Sequence, residues 1–231
     1  ENQIDNSLKR LGIDTIDIVY THNTIGAGRN VSSGTLSVED LSSIVQVFES
    51  AVASGKLQYW GFNGLGQTDS VKEALRRYSP SGIHTCYNML NPTSGYGLPK
   101  TFPYQNYEEL MTLASEDGIG TVGIRILAGG ALSGSLDRHP IAQQNVAPIA
   151  TSSTFREDVS RTPVFEVLVK EGFVNNLVEA SVRFAISNDN LDTALIGLSN
   201  FDQLKQAVDY ANKGSLPQEA LDKIKEIWAV S

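Results

Sequence analysis

Thr15-Ile16-Asp17-Ile18-Val19-Tyr20-Thr21-His22-Asn23 is the stretch on which the fold turns. It reads as a short, continuous apolar run, the pattern of a strand buried on both faces. The run delivers an imidazole, His22, to its C-terminal tip. In a parallel barrel that tip is where chemistry is placed.

Outward from this strand the pattern repeats. Ile4, Leu8 and Leu11 run at helical spacing before it, so the chain opens in or just before a helix. A Gly/Ser/Asn-rich loop follows over residues 24–35. Ser37 is placed to cap a helix whose apolar face is Leu41, Ile44, Val45 and Phe48, and Gly55 ends it. The spacing then predicts a strand over 57–62 closed by Asn63-Gly64, and a helix bearing Val71, Ala74, Leu75 and Tyr78. A turn over 79–82 leads to a strand over 83–87 that ends at Asn88. A Pro/Gly-rich loop (91–103) precedes a helix with Leu110, Leu113 and Ala114, which Gly118 caps. A strand over 120–126 opens into a long loop, 127 to about 161, containing Gly129-Gly130. A helix or helix pair covers 163–188, a fifth strand 192–198, and two last helices 200–212 and 217–228.

Strands and helices alternate throughout, and parallel β-structure with right-handed crossovers is the physical solution to that pattern. Alternation alone fits a doubly wound sheet or a barrel. A doubly wound dinucleotide fold wants a Gly-rich turn of G-x-G-x-x-G spacing after an early strand. Gly61-Phe62-Asn63-Gly64-Leu65-Gly66 lacks that spacing.

Composition excludes some partners. The chain of 231 residues is 41% hydrophobic, ample for a core, and carries a net charge of −8. Nucleic acid and anionic membrane surfaces call for basic faces, whereas the densest basic pairs here, Lys9-Arg10 and Arg76-Arg77, fit solvated helix faces. No nucleic-acid or membrane partner is expected, and no metal site. With one cysteine, Cys86, no internal disulfide is possible, and its apolar surroundings fit a buried, inert thiol. These features predict a cytoplasmic protein.

With the strand ends in hand, the sequence resembles the aldo-keto reductase family. The residues that carry the resemblance are Ser7-Leu8-Lys9-Arg10-Leu11-Gly12 running into the His22 strand, and the passage from Val52 to Gly61 around Ser54-Gly55-Lys56-Leu57. Tyr87-Asn88-Met89-Leu90-Asn91, then Leu127-Ala128-Gly129-Gly130-Ala131-Leu132-Ser133-Gly134, and last Gly197-Leu198-Ser199-Asn200 with Gln203-Leu204, follow in family order. The resemblance implies an α/β fold of the TIM (β/α)8 type with about five βα units present: residues 1–231 as a single incomplete barrel domain, strands four to eight plus a C-terminal helix. It also implies that the open edges are covered by a missing N-terminal segment or by a homo-oligomer.

The function implied is that of an NAD(P)H-dependent oxidoreductase, with NADP or NAD as cofactor and a small-molecule carbonyl, aldehyde or sugar as substrate. The family's tyrosine, lysine and aspartate belong to the missing first third. His22 matches its histidine, and a neutral imidazole there can donate a hydrogen bond to a carbonyl oxygen; its bland reading is a core histidine. For cofactor contacts, Asn63 and Gly64 stand where the family usually has Ser-Asn. Asn63 can still bond an amide or simply serve a turn. His84 replaces a glutamine and equally suits a satisfied core position. Ile124 replaces a stacking aromatic, and Arg125 after it can face a phosphate, an acidic substrate or a barrel carboxylate.

Leu127 and Gly129 match positions whose backbone cradles the pyrophosphate. Gly197, Ser199 and Gln203 lie in the segment after the eighth strand, with Ser199 and Gln203 near the adenosine ribose. Gln203 replaces an arginine, which weakens any preference for NADP; Arg156 or Arg161 are candidate substitutes. Phe102, Tyr104, Tyr107 and Trp60 are candidates for an apolar cleft or for plain core. The departures at Gly64, His84, Ile124 and Ala207 leave a second reading open: a barrel of the same descent that has lost redox activity and serves as a lyase-type enzyme or a binding or regulatory subunit.

Overall fold

A computed structural model of the chain describes residues 2–99 and 101–229. Glu1, the expected opening of the first helix, lies outside them. The described residues form two compact units, divided between Thr85 and Cys86, Thr112 and Leu113, and Thr121 and Val122.

The elements alternate as predicted. In order they are α1 (Asn2–Leu11), β1 (Ile16–Tyr20), the two-residue strands β2 (Ile25–Gly26) and β3 (Leu36–Ser37), and α2 (Leu41–Ala53). Next come β4 (Leu57–Asn63), α3 (Thr68–Tyr78), β5 (Gly82–Cys86), α4 (Leu110–Glu116) and β6 (Gly120–Ile124). Then follow α5 (Phe155–Ser160), α6 (Val167–Lys170), α7 (Leu177–Ala185), β7 (Thr193–Ala194), α8 (Phe201–Ala211) and α9 (Gln218–Ala229). The main strand order is β1-β4-β5-β6-β7, and β1 with β4, β4 with β5 and β6 with β7 are parallel pairs.

In the first unit the register aligns Tyr20 with Gly61, Gly61 with Gly82, and Asn63 with His84. The two glycines are required by space. A Cβ on Gly61 would come within 2.4 Å of both the Tyr20 ring and the Gly82 carbonyl, and one on Gly82 within 2.6 Å of the Tyr20 hydroxyl. The Tyr20 ring therefore lies across β4 and β5 on one face of the sheet, and stacks on His84 with centroids 3.9 Å apart. On the other face Trp60 and Phe62 are buried, with Phe48 of α2 5.9 Å from Trp60 and Tyr78 of α3 6.2 Å from Phe62. Such ring pairs add about 0.5–1.5 kcal/mol each beyond the area they bury.

The second unit has its own core, with Tyr87, Met89, Phe165, Leu168, Phe184 and Trp228 among its members. Trp228 donates from Nε1 to the Met89 carbonyl at 2.9 Å, which satisfies the indole as it is buried.

Several expectations need correction. The His22 strand is half open rather than buried on both faces, because β1 ends the strand order and Ile18 is 37% exposed. The strand predicted over 192–198 shrinks to Thr193–Ala194, with one further bond from Leu195 N to the Gly123 carbonyl. The strand predicted to reach Ile126 stops at Ile124, because Arg125 turns to φ 62. The loop over 24–35 is not structureless: it holds β2 and runs into β3. The long loop contains a 3-10 segment (Ala128–Ser133) and α5. The N-cap is Asp40, which makes no side-chain cap bond, and not Ser37. Ser37 exchanges bonds with Asp40, whose N donates to Ser37 Oγ at 3.1 Å while its carboxylate accepts from Ser37 N at 2.9 Å. The helix itself begins at Leu41.

Candidate functional site

His22 follows the end of β1 by two residues and is exposed. The chain around it is fixed by backbone. Ile25 N donates to the Leu65 carbonyl at 2.9 Å and Gln67 N to the Ile25 carbonyl at 2.8 Å. Ala27 N donates to Gln67 Oε1 at 2.6 Å, and Asn23 Nδ2 to the Gly34 carbonyl at 2.7 Å. The loop after His22 is thus stitched to the loop after β4. Gly66 makes the stitch possible: at φ 126, a Cβ there would meet the Ile25 carbonyl at 2.0 Å.

Asn63 serves the same scaffold. Its amide Nδ2 donates to the His22 carbonyl at 2.9 Å and its Oδ1 accepts from Leu65 N at 3.2 Å. It closes a turn by side-chain bonds, without the positive φ that the turn reading allowed. His84 is half-buried on the same face as Tyr20. Burial, and then the nearby His22, hold its imidazole below the ordinary range, which keeps it neutral around pH 7.

The second unit contains a pocket of about 520 Å³, within the range of about 300–1,000 Å³ usual for ligand sites. Arg125, Leu127, Gly129, Gly197, Ser199 and Gln203 all line it, so six of the residues singled out from sequence meet there; Ile124 is not among the lining. Its floor is unusual backbone. Arg125, Ala128, Gly129, Gly130 and Gly134 take φ of 62, 49, 69, 103 and 76. Ala128, Gly129 and Gly130 are consecutive left-handed residues, and the N–H groups of Ala128 and Gly130 already donate to the Arg125 and Leu127 carbonyls at 2.7 and 2.8 Å. At Gly129 a Cβ would lie 2.7 Å from Val146 Cγ1.

Two guanidiniums border this floor. Arg125 donates to the Ala147 carbonyl. Arg138 donates from Nη1 to the Gly129 carbonyl at 2.7 Å and from Nε to the Gln143 carbonyl at 2.8 Å. Arg138 and His139 both line the pocket and were missed from sequence, since the loop that holds them has no period to read. The proposed substitutes, Arg156 and Arg161, are not among the lining residues. Gln203 is committed: its Oε1 accepts from Ser199 N at 2.7 Å. Of the aromatic candidates, Trp60 and Tyr107 are core, while Phe102 and Tyr104 are half-buried.

The pocket's lining combines two guanidinium groups, Arg125 and Arg138, with the polar segment Gly197–Ser199, a set suited to an anionic ligand. Among the described residues no group of carboxylate, histidine and cysteine side chains could hold a metal ion, and no helix is long and apolar enough to cross a membrane.

Comparison with known proteins agrees with this chemistry. The model of the aldo/keto reductase family matches residues 1–229. L-glyceraldehyde 3-phosphate reductase of Escherichia coli strain K12 is 25% identical over 96% of this chain and 61% of its own length. L-galactose dehydrogenase of Arabidopsis thaliana is 21% identical over 97% of this chain and 62% of its own length. The chain thus spans about three-fifths of the curated relatives it matches. A solved aldo-keto reductase of Bacillus halodurans, in its holo form, superposes with a TM-score of 0.65 at 21% identity, covering 98% of this chain and 65% of that one. The parallel sheet is therefore part of a barrel of that kind.

Proposed function

Because the chain belongs to the aldo/keto reductase family, we propose that it acts in the nicotinamide-dependent reduction of a small carbonyl compound, a sugar or sugar-phosphate aldehyde by class. The observation that carries the reading is the pocket itself, with Gly129 and Gly130 in its lining and the guanidiniums of Arg125 and Arg138 beside them. Gly129 and Gly130 would admit the pyrophosphate of NAD(H) or NADP(H), and Arg125 would neutralise it. The bound cofactor would supply hydride to the carbonyl carbon. His22 would orient the carbonyl and stabilise charge on its oxygen by a hydrogen bond from the imidazole. The substrate class comes from the two relatives, which are a sugar-phosphate reductase and a sugar dehydrogenase by name. Gln203, neutral and held by Ser199, offers no cation for a 2′-phosphate. NADH is therefore expected to bind at least as well as NADPH. A cytoplasmic location, as a monomer or a homo-oligomer, is part of the same proposal.

The test is a titration of the chain with NADH and NADPH, followed by quenching of tryptophan fluorescence. Saturable micromolar binding supports the reading. Absence of binding to folded protein overturns it.

One observation favours the second reading, a barrel without redox chemistry. Asn63, which replaces the family's carboxamide contact, spends both ends of its amide on His22 and Leu65. That reading predicts no dinucleotide affinity, and function that survives His22→Ala.

A further inference from the structure

Asn88 and Asn91, the two asparagines of Tyr87-Asn88-Met89-Leu90-Asn91, are buried to 1% and 0% exposure. A buried amide has to bond at both ends. Asn91 does so among loops: its Oδ1 accepts from Thr93 N at 3.1 Å and Thr93 Oγ1 at 2.6 Å, and its Nδ2 donates to the Gln105 carbonyl at 2.9 Å and the Ala150 carbonyl at 2.6 Å. Asn88 joins a turn to a strand end. Its Oδ1 accepts from Leu90 N and Asn91 N, both at 3.0 Å, which closes an Asx turn. Its Nδ2 donates to the carbonyl of Arg125, 37 residues along the chain, at 3.0 Å.

Arg125 is where β6 stops and the pocket begins. It holds φ 62, a left-handed conformation disfavoured for a residue with a Cβ. Its carbonyl accepts twice, from Asn88 Nδ2 at 3.0 Å and from Ala128 N at 2.7 Å. The carbonyl before it is still paired as in a strand, with Tyr87 N donating to Ile124 at 3.2 Å. Tyr87 and Asn88 therefore grip consecutive carbonyls, the first by backbone and the second by side chain, at the point where the ladder ends. The direction in which the Arg125 side chain leaves the backbone depends on that φ, since a return to the extended region would swing its Cα–Cβ bond away. As it stands, Arg125 lines the pocket.

We propose that Asn88 is a positioning residue for the pocket: its amide holds Arg125 in the left-handed conformation that presents the guanidinium to an anionic ligand. The inference deepens the dinucleotide reading and rests on it for the identity of the ligand, but not for the placement of Arg125.

Asn88→Ser separates the two ends of the amide. A serine hydroxyl can accept from the turn N–H groups but is too short to reach the Arg125 carbonyl. The variant is expected to weaken NADH binding about tenfold in the fluorescence titration, the effect of one hydrogen bond of about 1.4 kcal/mol. Arg125→Met is expected to weaken it by about the same factor or more, and the double variant to stay within about twofold of Arg125→Met alone. Additive losses, about 100-fold in all, would mean that Asn88 acts on the pocket by another route and would overturn the proposal. So would an unchanged Kd in folded Asn88→Ser. Both single variants should also lose the same share of the salt dependence of NADH binding, which a merely structural defect leaves in place. A crystal structure of Asn88→Ser without ligand gives an independent reading. Arg125 is expected to leave the left-handed region and its guanidinium to leave the pocket wall; an unmoved Arg125 overturns the proposal. If the unaltered chain binds no NADH, the proposed function fails, and that structure decides the role of Asn88 by itself. Should Asn88→Ser not fold, Asn88→Asp takes its place in each measurement, since the ionised carboxylate keeps the acceptor and lacks the donor.

Discussion

The two units carry polar residues in opposite ways. In the first, His22 stands exposed at a strand end, and backbone bonds together with side-chain amides fix its place. In the second, the pocket is made of backbone in left-handed conformations, with arginines whose donors rest on carbonyls. Regular structure can hold a group in place for chemistry; irregular backbone with arginines beside it can shape a pocket for an anion. The contrast teaches that turnover and affinity should respond to different substitutions, which gives a direct way to break it.

His22→Ala is the sharpest cut. In a protein that turns over a carbonyl substrate it should lower kcat by about 10²–10³, the usual cost of losing one donor to a developing oxyanion. Affinity for the dinucleotide should stay within about twofold, and the melting temperature should not move, since the ring is exposed. Gly129→Val should do the reverse. Its side chain would start 2.7 Å from Val146 and 3.1 Å from Arg125 Nη1 at φ 69, and dinucleotide affinity should fall about tenfold or more. If the two variants change the same parameter, the division of roles is wrong.

Electrostatics separates the units again. The ion pairs of the first unit are exposed, as in Lys56–Asp5 and Arg77–Glu39, and exposed pairs contribute little. The second unit buries Glu179 at 1% exposure, with Arg183 at 3.1 Å and Lys213 at 2.8 Å. Burial alone would raise its pKa, but bonds from Lys213, Asn175 and Arg183 outweigh it and leave the carboxyl below the ordinary value of 4.5. A depressed carboxyl contributes stability above its unfolded value and loses it as pH falls through the folded one. Glu179→Gln should cost about 2–3 kcal/mol at pH 7, less than for a fully buried pair because Lys213 is partly in water. It should also flatten the loss of stability below about pH 4.5. Chemical denaturation at pH 7 and pH 3.5 measures both.

How much of this was legible follows from the same contrast. The strand tip at His22 and the alternation of elements are written in apolar runs and in the 3.6 period, which a single sequence displays; the register that sets Gly61 and Gly82 against Tyr20 is not. Gly129-Gly130 stood out within the long loop, but its left-handed backbone was not written in the sequence. Arg138 and α5 were not legible, because a loop held by side-chain-to-carbonyl bonds has no period. The stitch between Ile25 and Gly66 was hidden for another reason: β2 is two residues long, too short for a pattern, and only the spatial meeting of two loops explains the glycine.

That stitch is open to test. Gly66→Ala should destabilise the first unit by about 2–3 kcal/mol, from clash and strain together. Gly12→Ala is the control, since φ is 69 there but nothing lies within 4 Å; it should cost about 1 kcal/mol, the strain alone. Thermal melts of the two variants settle whether the stitch bears load. Equal shifts would mean that the loop after His22 adapts, and that its position is not fixed by backbone.

The smallest effect belongs to His84. Its imidazole is held neutral by burial and by His22, so between its folded value and the ordinary 6.5 the unfolded chain binds the extra proton. Stability of the first unit should therefore decline as pH drops from about 6.5 through the folded value. His84→Gln keeps an amide that can lie against Tyr20 and removes the titration. It should cost less than about 1 kcal/mol at pH 8, where only the ring stack is lost, and abolish the decline that sets in below pH 6.5. The loss from His84 sets in below 6.5 and that from Glu179 only below 4.5, so the two acid losses differ in their onset. A slope near pH 6 that survives in His84→Gln would move the sensitivity to another group and remove this second distinction between the units.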